Sequence, residues 1–261
     1  MQRPEFPPDL YTEIPDLQTY ETILLAYRGS VAHGTWERNT EPNSIDDIDL
    51  MGVAVPGLDH YFGLEQYGSR GTREIVRDPW DIVLYEARKV ISLLMKGNPN
   101  VLSLLWLPED LYIHIAPAGR HLIDARDLFA TKAVYQPFRG YAQGQLRKMH
   151  ADTFAGYMGA KRKALVEQHG YDTKSAAHLI RLLRQGCEFL LTGEMEVQRG
   201  DAAELTAIKH GKWPLSTVRA EAQVLDARLT EAYECSPLPE HPDRRAVNQL
   251  AESVVGEALG I

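Results

Sequence analysis

Two aspartates one residue apart, Asp47 and Asp49, sit at the head of the apolar stretch Ile48-Asp49-Leu50-Met51-Gly52-Val53-Ala54-Val55. Residues two apart on a strand share a face, so the two carboxylates would stand side by side while Ile48 and Leu50 point the other way. Asp46 has the opposite parity and falls outside the pair. Two close negative charges repel unless a positive charge lies between them. A hard divalent cation with oxygen ligands, such as Mg2+, answers that need. Upstream, the Gly29-Ser30 turn follows a short apolar run, and such a turn can offer backbone N–H groups to phosphate oxygens. A phosphate cradle followed by a metal-binding pair reads as nucleotide chemistry. Each part is common by itself, since Asp-x-Asp also occurs by chance in exposed loops and turns. The order of the parts carries the reading.

Nucleotidyl transfer with two metal ions calls for a third acid from a neighbouring strand. Asp81 opens the run Asp81-Ile82-Val83-Leu84-Tyr85, where an acid has no packing purpose. The bland alternative is a turn residue after Asp78-Pro79-Trp80. Farther along, Lys174, His178, Arg181 and Gln185 recur at i, i+4, i+7 and i+11, one polar stripe on a helix. The stripe lacks the Glu partners that usually lace an exposed helix, so phosphate or substrate contact competes with a solvated face. His178 fits either an acid–base group or a phosphate donor. His33, just after Ser30, is within reach of a bound phosphate or base, or is an ordinary loop residue. A second basic cluster, Arg147-Lys148 and Lys161-Arg162-Lys163, is interleaved with Phe138, Tyr141, Phe154 and Tyr157. Contact with nucleic acid or triphosphate is weighed there against a solubilising surface, with the aromatics counted as core by default. Arg70 and Arg73 flank a Gly71 loop and receive no role.

The elements that must position these residues follow from apolar period and punctuation. After a Pro-rich lead-in, with a short helix around Asp16–Thr22, strands are predicted at Ile23–Arg28, Ile48–Val55, Arg73–Arg77 and Asp81–Tyr85. The breaker cluster Asn39–Ser44 separates the first two, and residues 58–64 read as one helical turn. Helices are predicted over Glu86–Lys96, from Asn98 to Pro108, around Ala118–Leu128, and over Pro137–Gln168 as one helix or two broken near Gly156 or Gly159. Three more run from Asp172 or Thr173 to Leu191, over Leu215–Glu234 and over Asp243–Leu259. The layout is α+β: a small mixed-sheet half over residues 1–110 and a helical half over 111–261, with the cleft between them.

This order of motifs resembles the DNA polymerase β-like nucleotidyltransferase superfamily, and more closely the RlaP-type nucleotidyltransferases linked to RNA repair. The likeness runs through Gly29-Ser30 with Gly34-Thr35, Asp47-Ile48-Asp49-Leu50 with Gly52 and Pro56, and Lys96-Gly97-Asn98-Pro99-Asn100. It continues in Gly170-Tyr171-Asp172-Thr173-Lys174, His178–Arg184 and Ser236-Pro237-Leu238-Pro239. It implies Mg2+ ligands at Asp47, Asp49 and Asp81 in a two-metal site, with Mn2+ as an alternative, and a triphosphate held by Ser30 and the amides around Gly29. The loop from Ser30 to Asp47 is longer than this resemblance leads one to expect.

The bulk composition agrees with that class. A net charge of −8 argues against non-specific coating of nucleic acid, though not against a local basic groove. No apolar run approaches the ~20 residues of a membrane helix, and the N-terminal residues lack a signal-peptide layout. Cys187 and Cys235, the two cysteines, have no metal-type spacing, and nine histidines show no zinc spacing. A reducing, cytoplasmic setting is expected. The reading is a Mg2+-dependent transfer of a nucleoside monophosphate from a nucleoside triphosphate to an acceptor hydroxyl, an RNA 3′ end being compatible. Lys174, His178 and Arg181 would close the cleft. The rivals are a catalytically silent nucleotide or RNA binder, and an interaction protein using the helical half.

Overall fold

A computed structural model describes residues 4–7, 17, 21–37, 46–149 and 160–261. The N-terminal half holds a five-stranded mixed sheet, ordered β3-β4-β2-β1-β5. Its strands are β1 (Glu21–Tyr27), β2 (Ile48–Val55), β3 (Thr72–Arg77), β4 (Trp80–Glu86) and β5 (Tyr112–Ile115). β2 has the predicted bounds. It lies inside the sheet and is buried along almost its whole length, which accounts for its near-continuous apolar sequence. β5 was not predicted from sequence; four residues after a 3-10 turn give too short a pattern to recognise.

Two registers set up the site. β1 runs antiparallel to β2 with Tyr27 opposite Leu50, which carries Arg28 to the side of Asp49, and the Arg28 N–H donates to the Asp49 carbonyl at 2.9 Å. β2 runs parallel to β4 with Asp49 paired to Asp81. A four-residue helix α1 (Gly29–Ala32) follows β1, and α2 (Leu58–Tyr61) follows β2.

The helices then run as α3 (Ala87–Met95), α4 (Pro99–Leu102), α5 (Pro117–Asp124), α6 (Tyr135–Lys148), α7 (Ala160–His169), α8 (Thr173–Thr192), α9 (Ala202–Lys209), α10 (Leu215–Cys235) and α11 (Arg244–Leu259). Local chemistry sets their ends. The Glu86 carboxylate accepts from the N–H groups of Arg88 and Lys89 at the start of α3. Asn98 does the same for α4 ahead of Pro99, and Asp172 caps α8, which stops at Gly193 in the left-handed region. Gly97, also left-handed at φ +65°, is required sterically, because a Cβ there would come 2.6 Å from the Val134 Cα.

α8 is the centre of the helical half, packed on α6, α9 and α10. Its Leu179, Leu183 and Leu190 are buried and Cys187 half-buried, as helical spacing implies. α11 returns to pack against α3, α5 and β2. α9 was not predicted from sequence, for its eight residues are too few to show a helical period. The predicted helix around Asp16–Thr22, the Asn39–Ser44 loop, the breaks at Gly156 and Gly159, and Phe154 and Tyr157 fall wholly or largely outside the described residues. Among the described residues no helix is long and apolar enough to cross a membrane.

Candidate active site

The end of β1, the start of β2 and helices α4, α6 and α8 enclose a cleft of about 690 Å3. At the sheet end of the cleft lie Arg28, Gly29, His33 and Asp49; from the helices come Tyr141, Lys148, His178 and Arg181. A smaller cavity of about 50 Å3 adjoins, reached by Gly29, Ser30, His33, Asp46, Asp49, Lys174, His178, Arg181 and Lys209. Seven of the nine expected site residues therefore border one or both spaces: Gly29, Ser30, His33, Asp49, Lys174, His178 and Arg181.

Gly29 and Asp49 are in direct contact. Gly29 has φ +62°, and a Cβ on it would fall on the Asp49 Oδ2, so only glycine lets the turn lie against this carboxylate. The turn is the first residue pair of α1 rather than an open loop.

The acids are held differently from one another. Asp49 is half-buried; burial raises its pKa, the Arg28 guanidinium works against that, and the neighbouring Asp81 and Asp47 charges add to the rise. Arg28 Nη2 lies 3.5 Å from Asp49 Oδ1 and 3.8 Å from Asp81 Oδ2. A cationic group thus already stands against both carboxylates. Asp47 immediately precedes β2 and is exposed. The donor set, carboxylate oxygens with a shared cation, fits a hard divalent ion in kind. Among the described residues, however, no three His, Cys, Asp or Glu side chains converge as a metal shell.

The polar stripe of α8 points inward. Lys174 is half-buried with Nζ 3.8 Å from Asp46 Oδ1, and burial lowers its pKa against the pull of Asp46 and Asp49. Arg181 is only 8% exposed. Its Nη1 donates to the Gln185 Oε1 at 2.6 Å, its Nε has no partner, and burial pushes its pKa down to about 10. Gln185 is tied in turn to the Glu196 carbonyl at 3.0 Å. His33 is buried with Nδ1 3.0 Å from the Val197 carbonyl. Burial, with Arg181 nearby, drives its pKa well down. A neutral ring against a carbonyl must carry its proton on Nδ1, which leaves Nε2 as an acceptor.

Three residues were passed over in the sequence. Arg28 could have been noticed as a cation immediately before Gly29. Asp46 was set aside by strand parity; it precedes β2, borders the smaller cavity with Asp49, and is buried against Lys209, with the Glu37 N–H donating to it at 3.2 Å. Lys209 also donates to the Thr35 carbonyl at 3.2 Å, and nothing in the sequence could pair it with a residue so far upstream. Of the second basic cluster, Lys148 borders the cleft, Arg147 and Lys163 are exposed, and the side chains of Lys161 and Arg162 lie outside the description. Arg73 stacks over Tyr67, with the guanidinium carbon 5.0 Å from the ring centroid.

No curated protein matches the chain. A family model does match, over residues 12–253, described as RlaP, RNA repair pathway DNA polymerase beta family. That span takes in Asp47, Asp49 on β2, Asp81 on β4 and the whole inward face of α8, and so the chain belongs to the RlaP family of DNA polymerase β-like nucleotidyltransferases.

Proposed function

We propose that the chain transfers a nucleoside monophosphate from a nucleoside triphosphate to an acceptor hydroxyl and releases pyrophosphate. The family supports a nucleotidyltransferase role in general. The observation that carries the finer reading is the contact of Gly29 with Asp49 at one end of a cleft whose helical wall is cationic. It sets a turn suited to phosphate against a carboxylate suited to a metal. Asp47, Asp49 and Asp81 would hold Mg2+, or Mn2+ in its place, and the metal would supply charge neutralisation at the triphosphate and a more acidic acceptor hydroxyl.

The chain's own residues have separate tasks in that reading. Ser30 and Lys174 would steady the β,γ-phosphates beside Gly29. Arg181 and His178 would receive phosphate charge from the other side, where Arg181 has a donor to spare. Asp81, paired in register with Asp49, would serve the acceptor's oxygen. The acceptor hydroxyl releases its proton to water as its oxygen bonds to the α-phosphorus, the α–β bridge breaks, and pyrophosphate carries away the bonding pair. The family's description, which names an RNA repair pathway, supports RNA as the acceptor.

One observation favours a second reading, a catalytically silent nucleotide or RNA binder. Arg28 lies against Asp49 and Asp81, and no three-carboxylate shell is assembled among the described residues. A single assay separates the two. Labelled nucleoside triphosphates are offered with Mg2+ to total RNA and total protein, for wild type and Asp49→Asn. Transfer of label with pyrophosphate release, lost in Asp49→Asn, is the expected result. Tight triphosphate binding without release for any acceptor would establish the binder instead.

A further inference from the structure

Helix α6 has two interior glycines, Gly140 and Gly144, one turn apart and on one face. Glycine inside a helix weakens it relative to alanine, so each needs a reason. The backbone gives none, because neither has a positive φ. Packing gives none either, because a Cβ at either position would meet nothing within 4 Å among the described residues. Gly186 on α8 shows what a packing requirement looks like: a Cβ there would press on Leu229 Cδ1 at 2.8 Å. Both α6 glycines border the large cleft, so the space they leave is space inside it.

Two more features belong to the same cleft. Tyr141, between the glycines, is 38% exposed, and its hydroxyl accepts from Asn98 Nδ2 at 3.1 Å. Asn98 is itself fixed, since its Oδ1 caps α4. The Lys96–Asn100 motif thereby holds an aromatic ring on the cleft wall. Arg181, nine-tenths buried, also lines the cleft, with no carboxylate against it among the described residues and an Nε without a partner. A buried donor left in that state points to an anionic ligand. The cleft therefore offers one end to an anion and one bare face with an anchored ring to something flat.

We propose that the Gly140–Gly144 face of α6, with Tyr141, seats the nucleobase of the incoming nucleoside triphosphate. The proposal rests on the nucleotide reading above and adds where the base lies. A flat ring can approach a helix closely only where side chains are missing, and Tyr141 supplies an aromatic partner for it.

Binding to the full-length chain, by calorimetry with Mg2+, uses three probes: a nucleoside triphosphate, inorganic tripolyphosphate and a short oligoribonucleotide. In Gly144→Leu and Tyr141→Ala the triphosphate's affinity should fall about tenfold, while tripolyphosphate binds within about twofold of wild type by the same principle. Gly144→Ala controls for folding: it should raise Tm by about 2 °C while weakening the nucleoside triphosphate, a combination a structural role cannot give. Nucleoside triphosphate affinity unchanged in Gly144→Leu, or lost equally with tripolyphosphate, overturns the proposal. Loss confined to the oligoribonucleotide also overturns it, by giving the face to the acceptor strand. If wild type binds neither nucleoside triphosphate nor tripolyphosphate, the nucleotide reading itself fails; if it binds both and Gly144→Leu changes neither, only this inference does.

Discussion

Arg181 and Arg184 are three residues apart on α8 and are satisfied in opposite ways. Arg184 is bonded by Asp201 at 2.7 Å, Glu204 at 2.5 Å and Glu221 at 3.3 Å. Nearby Arg199, its side chain 3% exposed, is held by Glu188 at 2.5 Å and Asp201 at 2.8 Å. These two arginines and four acids form a network that ties α8, α9 and α10 together, with each guanidinium set against at least two carboxylates. Arg181 has one neutral partner, Gln185, and an Nε with none. A buried guanidinium without an anion is costly, whereas a saturated one is part of the framework. The contrast separates structural charge from charge held ready for a ligand, on one helix.

The comparison is broken most directly at Arg199. Arg199→Met should lower unfolding free energy by about 2–3 kcal/mol, because it takes the cation from Glu188 and one of two cations from Asp201. Urea melts measure it. A smaller effect, of opposite kind, is expected at Arg181. Arg181→Met should leave stability unchanged or slightly raised, while tripolyphosphate affinity drops about tenfold with the loss of a charge-assisted donor. Equal destabilisation in the two variants would erase the distinction. The smallest effect is on acid stability. Burial acts to raise the pKa of Asp201, but hydrogen bonds from Arg199 and Arg184 outweigh it and hold the carboxyl below the usual range. A carboxyl whose folded pKa lies below its unfolded value, about 3.9, stabilises the fold above that value and loses its contribution as pH falls through the folded one. Urea midpoints of wild type should therefore fall on acidification below about pH 4, and those of Asp201→Asn should fall less steeply over the same range.

How far the sequence reached can be judged on the same residues. β2 was legible to the residue because an apolar run ended at Pro56-Gly57, and α8 because Asp172 and Gly193 punctuate it. The spacing of Lys174, His178 and Arg181 showed a shared helix face, but spacing is blind to what covers that face. Water and a cleft wall produce the same pattern. The network around Arg184 was invisible for a related reason: three of its acids come from other segments, Asp201, Glu204 and Glu221. Tyr141 was assigned to the core by composition, while its position is decided by Asn98 on a different helix. β5 and α9 were too short to show a period of their own.

Asp46 sits one residue before Asp47 and is clamped by Lys209 of α9, with Lys174 of α8 on its other oxygen. Considered as a mechanism of moving parts, this is a bolt at the hinge side of a door. Swinging α8 and α9 away from the sheet would drag the first residues of β2 along or break a buried ion pair. The buried pair thus fastens the segment that leads into β2 to α9 and, through Lys174, to α8.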